Sequence, residues 1–350
     1  MEVKALKFGG LTAKRPIVQG GMGVGVSLSS LAGNVAKCGG VGTISGVHPG
    51  YREADFKENP FRANLRAIGN ELEKAKEIAN GGIIGFNFMT VMNHYEEYVK
   101  EAIAAGADFI VSGAGLPVNL AKYAAGTRAA ILPIVSSARA LKLIVKQWQR
   151  ADRLPDAVVV EGPLAGGHLG YPYGHLVDGT FDTLEDSLVD VVDYVRELEE
   201  KNGVKIPVIA GGGVRNHADM ERLMALGASG VQVGTKFVAT EECDAAPAFK
   251  QAYLRSRKED VQLIESPVGL AARAIRNFFL EKVEKQGRIP VQRCYQCMNH
   301  CKQAETKYCI SQALIDAVQG REGLVFCGAN AYEIEKLSTV EKVMQELCGE

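Results

Sequence analysis

Short runs of β-branched and other apolar residues recur along the chain, each closed by small or turn-forming residues. A segment with apolar positions three and four apart follows most of them, which is the alternation of βα units on a parallel sheet. Eight runs qualify, at 16–19, 40–44, 83–87, 108–112, 131–135, 157–161, 207–210 and 230–234. Amphipathic helices are predicted between them at 71–79, 95–105, 138–148, 184–201 and 218–226. Gly106 and Gly227 each stop a helix just before a strand, where glycine caps the helix and turns the chain.

Eight strands alternating with helices match the count of a closed barrel, while a doubly wound open sheet is the competitor that periodicity alone leaves standing. The fold class expected is α/β, a TIM (β/α)8 barrel with an appended C-terminal helical, Cys-rich segment. Residues 1–265 form the barrel, with long insertions at 46–64 and 168–183, and residues 266–350 form a helical cap packed on it. Both insertions follow strand C-termini, the face where barrels place their sites.

Composition narrows the function. With 350 residues, 47% hydrophobic and 23% charged, the chain can bury a large core. Its formal net charge of -1 gives no global basic field for nucleic acid or an anionic membrane, so a small-molecule substrate is expected. The N-terminus has no continuous apolar run and no later stretch is long enough to span a membrane, which points to a cytoplasmic protein. A homodimer is the assembly considered.

Glycine and small polar residues collect just beyond the strands, where backbone must approach something closely. Gly20, Gly21, Met22 and Gly23 follow the first strand, Asn87 ends the third, and Ser112 begins a Ser-Gly-Ala-Gly run after the fourth. Gly211, Gly212 and Gly213 after the seventh strand and Gly234 and Thr235 after the eighth occupy the common phosphate site of barrels. After the sixth strand, Gly166 and Gly167 flank His168, an imidazole on an open loop and suited to proton transfer. His48 and His175 lie on the insertions near the same face and are weaker candidates; His94, His217 and His300 lack that placement. Arg215 opens the helix after the phosphate loop, to touch phosphate or face water.

The ordered set Gln19-Gly-Gly-Met-Gly, Gly85-x-Asn87-x-Met89, Ser112-Gly-Ala-Gly-Leu-Pro, Ala165-Gly-Gly-His168-x-Gly, Ala210-Gly-Gly and Val233-Gly-Thr resembles the nitronate monooxygenase (2-nitropropane dioxygenase) family over about residues 10–240. The resemblance implies FMN, with Gly21, Met22 and Asn87 near the ring and ribityl chain and the seventh and eighth loops holding the phosphate. It also implies that His168 abstracts the proton beside a nitro group or binds the nitronate, with O2 as electron acceptor. Related FMN-dependent enoyl-acyl-carrier-protein reductases and quinone reductases share these glycines, so an NAD(P)H-dependent reductase is the alternative. Leu169 departs from the family pattern, standing where many monooxygenases have Arg. A third reading is a barrel that binds a sugar or nucleotide phosphate without flavin.

Six of the eight cysteines follow residue 290. Cys294, Cys297, Cys301 and Cys309 have spacings that could ligate an iron–sulfur cluster or zinc; inert thiols in a helical cap are the competing reading. Cys327 and Cys348 lie farther on, and Cys38 and Cys243 read as packing residues.

Overall fold

Eight short strands pair in parallel, each with the next, and the eighth returns to the first, so the sheet has no free edge. They are β1 (Ile17–Gln19), β2 (Val41–Ser45), β3 (Ile83–Met89), β4 (Phe109–Gly113), β5 (Ala130–Val135), β6 (Val158–Glu161), β7 (Val208–Gly211) and β8 (Gly230–Val233). This is a TIM barrel, and each predicted strand falls on one of the eight. The computed structural model describes residues 4–299 and 301–350; His300 lies outside the described residues.

The helices between strands follow from the same periodicity. Ser137 caps Ala138–Trp148, whose buried Leu141, Ile144, Val145 and Trp148 form one apolar face. Leu184–Asn202 opens on a capping box in which the Thr183 hydroxyl accepts the Asp186 amide and Asp186 accepts the Thr183 amide. The helix predicted to begin at 71 begins instead at Pro60, so Pro60–Ala79 takes in the end of the expected insertion. Its start has Asn59 as cap and Pro60 in the first turn, both orthodox start signals.

Two apolar layers lie on opposite sides of the barrel wall. Outside, the helices pack their buried faces on strand residues such as Ile44, Phe86 and Val160. Inside, Val18, Val41, Phe109, Val111, Val159 and Ile209 form a separate cluster. That cluster is joined by Leu6, Phe8 and Ala13 from an antiparallel hairpin, Leu6–Phe8 with Leu11–Ala13, so the hairpin plugs the barrel. Phe8 meets Phe109 edge to face with ring centroids 6.1 Å apart.

The segment after β8 closes the ring in another way. Asp244 accepts hydrogen bonds from the amides of Leu28, Ser30 and Leu31, and Glu71 accepts from that of Ser29, so the start of helix Ser29–Lys37 is satisfied. The C-terminal helix Val340–Cys348 packs on that same first helix, with Met344 and Leu347 fully buried. A second sheet orders strand Val261–Glu265 beside Ala271–Ile275, which pairs in turn with the two-residue strand Gly167–His168. Among the described residues, no helix is long and apolar enough to cross a membrane.

Phe8→Ala should lower unfolding free energy by about 3–5 kcal/mol, since it empties the plug of a closed interior. Denaturant titration measures this; an unchanged midpoint would mean that the hairpin contributes nothing to the barrel.

Candidate active site

The C-terminal ends of the barrel strands open onto a cavity of about 460 Å³. Of the residues expected at the site, Gly20, Gly21, Met22, Gly23, Asn87, Gly166, Gly167, His168, Gly212, Gly213, Gly234 and Thr235 all line it. Two do not. Gly211 sits one residue below the rim, and Ser112 is fully buried, its hydroxyl 2.8 Å from both the Phe88 carbonyl and the Tyr95 hydroxyl. Ser112 thus ties β4 to β3 beneath the cavity.

The glycines are required for close approach. A Cβ on Gly21 would lie 2.4 Å from Asn87 Cβ, so only glycine lets the first loop rest on that asparagine. Gly212 and Gly213 adopt φ of +103° and +93°, left-handed conformations that present bare backbone to the cavity beyond β7. On the far side, a Cβ on Gly166 would meet the Cys327 and Gly328 backbone at 2.7 Å, which brings the C-terminal segment directly over the histidine loop.

His168 is held from three directions. Its strand pairs with Ala272 and Arg273, and the Leu169 amide donates to the Ala271 carbonyl at 2.8 Å. Its Nε2 lies 2.8 Å from Ser266 Oγ, and Phe326 stands edge-on to the ring at 5.0 Å. Arg273 locks the approach to the loop: its buried guanidinium donates to the carbonyls of Ala165 and, at 2.9 Å, Pro163. Leu169 is buried in a small apolar cluster with Ala165, Leu176 and Ala271.

Two ionisable groups on this one segment are both driven toward neutrality. Burial pushes the His168 ring down from 6.5 to about 4, so it is an uncharged imidazole at pH 7. Glu161, at the end of β6 and facing the same cavity, is pushed up by burial to about 8, so it is a protonated acid there. A neutral base and a neutral acid in one cavity can accept and donate protons without a net charge in the resting site.

Several lining residues have no place among the sequence candidates. Glu161 carried a readable signal, a carboxyl at the C-terminal end of an otherwise apolar barrel strand. Gln232 lies on β8 with its side chain against Gly20 and Gly211. Phe326, Cys327, Gly328 and Asn330 roof the cavity from far along the chain, with the Tyr253 hydroxyl donating to the Phe326 carbonyl at 2.5 Å. Arg215 is at the cavity edge and pairs with Asp219, 2.9 Å away, and with Glu333.

Among the described residues, the other histidines stand apart from the lining. His48 is buried, with Nε2 2.8 Å from Ser311 Oγ and Phe56 edge-on, so it is a packed core group in place of the substrate contact expected. His175 is exposed on helix Tyr173–Asp178.

The sequence profile of the nitronate monooxygenase family matches residues 4–350. A probable nitronate monooxygenase of Staphylococcus saprophyticus is 25% identical over 314 residues, 83% of this chain and 84% of that protein. One of Staphylococcus aureus is 26% identical over 305 residues, 80% of this chain and 81% of that protein. Among solved structures, FabK from Thermotoga maritima superposes with a TM-score of 0.71 at 24% identity, covering 96% of this chain and 92% of that one. Nitroalkane oxidase from Streptomyces ansochromogenes gives 0.69 at 19% identity, covering 97% and 96%.

Arg273→Ala should cost about 2 kcal/mol, because two buried carbonyls lose a charged donor. Arg273→Lys should recover only part of this, since an ammonium lacks the planar fork. Thermal or denaturant unfolding measures both, and an unaffected Ala variant would show that the loop holds itself.

Proposed function

From the premise that the chain belongs to the nitronate monooxygenase family, and is an oxidoreductase, we propose that it oxidises alkyl nitronates with O2 using FMN, with His168 as base or substrate-binding residue. The carrying observation is His168 itself, a neutral imidazole fixed on the glycine loop of a cavity lined by this family's motif residues.

The residues present fit FMN. A volume of about 460 Å³ lies within the roughly 300–1,000 Å³ range of ligand sites. The bare backbone of Gly212 and Gly213, with Gly234 and Thr235 beside them, forms a cradle that side chains would fill, and it would hold the phosphate. Gly21, Met22 and Asn87 would hold the ring and ribityl chain. When bound, FMN supplies the redox chemistry, taking an electron or hydride equivalent from substrate and passing it to oxygen.

The chain's own residues orient the substrate and manage the proton. His168 Nε2 is occupied by Ser266, which fixes the ring plane against Phe326. Because the ring is neutral, it meets a nitroalkane as a base or hydrogen-bonding partner and not as a fixed cation. Glu161 offers a protonated carboxyl in the same space. Phe326 and Leu314 give the roof an apolar part beside the reacting centre.

One observation favours the reductase alternative. Leu169, buried beside His168, places an apolar side chain where many family members carry Arg, so the loop supplies no cation for an anionic substrate. On that reading NAD(P)H reduces the flavin, which then reduces an activated alkene or quinone.

Aerobic turnover of a small nitronate without nicotinamide should consume oxygen, and His168→Ala should lower kcat/KM by about 10²–10⁴-fold. Flavin-loaded enzyme with no oxygen uptake sinks the monooxygenase reading, whereas rapid anaerobic bleaching by NADH supports the reductase. The pH profile of kcat/KM should be a plateau falling below about 4, where His168 gains a proton, and above about 8, where Glu161 loses one. An acid limb at the ordinary histidine value would show that the ring is solvated.

A further inference from the structure

Cys294, Cys297, Cys301 and Cys309 surround one small cavity, which Pro267 and Ile310 also line. Cys297 lies within electrostatic reach of the other three thiols, and Cys294 acts on both Cys301 and Cys309. Among the described residues all the cysteines are free, so no disulfide accounts for the gathering. A backbone donor reaches one of the sulfurs. The Gln296 amide donates to Cys294 Sγ at 3.4 Å, and Cys309 stands at the start of helix Ile310–Val318. The Ser311 side chain lies near Cys297. Such a donor suits a negatively charged ligand sulfur.

Among the described residues, no three His, Cys, Asp or Glu side chains gather closely enough to share one metal ion. A tetrahedral zinc would need its sulfurs within about 2.3 Å of a single centre. A cluster spreads its ligands, one thiolate to each iron, around a larger body. We propose that Cys294, Cys297, Cys301 and Cys309 ligate a [4Fe–4S] cluster, an inorganic one-electron carrier seated behind the candidate active site.

The position of the thiols gives that carrier a use. Ile310 lines the thiol cavity and Leu314 lines the large one, a separation of one helical turn, about 6 Å of rise. Pro267 touches the thiol cavity while its neighbour Ser266 bonds His168. Phe326, edge-on to His168, packs in the same apolar cluster as Cys297 and Met298. The two cavities therefore share a wall. A role in exchanging electrons with the large cavity rests on the flavin reading; the cluster itself does not.

The test uses the full chain, prepared anaerobically and reconstituted with ferrous iron and sulfide. About four iron and four acid-labile sulfide per chain are expected, with a broad visible absorption and a low-temperature EPR signal on reduction by dithionite. Cys301→Ser and Cys309→Ser should each lose at least half of the iron at unchanged far-UV circular dichroism, and Cys38→Ser should keep all of it. Wild-type protein that binds FMN but neither iron nor sulfide overturns the proposal, as does zinc in their place or serine variants with full iron. Should a serine variant fail to fold, the wild-type iron and sulfide content decides. A full cluster without FMN binding would defeat the flavin reading and leave this one standing.

Discussion

The pairing of Gly167 and His168 with Ala272 and Arg273 is the contact on which the site depends. A two-residue strand cannot hold a conformation alone, since ordering each residue costs about 1–2 kcal/mol of entropy. The neighbouring strand offsets that cost with ladder hydrogen bonds, and its buried arginine grips the carbonyls of Pro163 and Ala165 just upstream. Gly166 then lets the Cys327–Gly328 backbone close over the loop. The histidine's aim is thus set by residues about a hundred positions away in the chain.

The same closure sets the electrostatics. Burial of His168 and Glu161 favours the uncharged form of each, which for the base means losing a proton and for the acid means keeping one. Opposite protonation habits in one cavity come from a single cause. The phosphate cradle uses a different device, backbone conformation, because Gly212 and Gly213 can turn left-handed where other residues would be strained.

The barrel was legible because its signals are local. Each strand is a short apolar run, each helix a three-and-four repeat, and the expected strands overlap the observed ones throughout. The glycine loops were legible too, since glycine at a strand end is a local demand of the backbone. What stayed hidden depends on distant pairing. Leu6–Phe8 and Leu11–Ala13 are too short to show a period and become a plug only against Phe109 and Val111. Phe326 looks like any core aromatic until the chain folds it over His168, and His48 resembled a site residue until Ser311 and Phe56 enclosed it.

The large cavity has its floor in the loops after β1, β3 and β7 and its roof in residues beyond 310. Its walls meet only when segments separated by some three hundred residues have come together, so it exists only in the assembled fold. A molecule that fills it touches both ends of the sequence at once and binds only the finished fold. At a hundredfold excess over its dissociation constant, such a ligand adds about 2.7 kcal/mol to the stability of the whole chain. Occupancy of the site is therefore also a fastener between the first loop and the last helices, and scarcity of ligand would be felt as fragility of the protein.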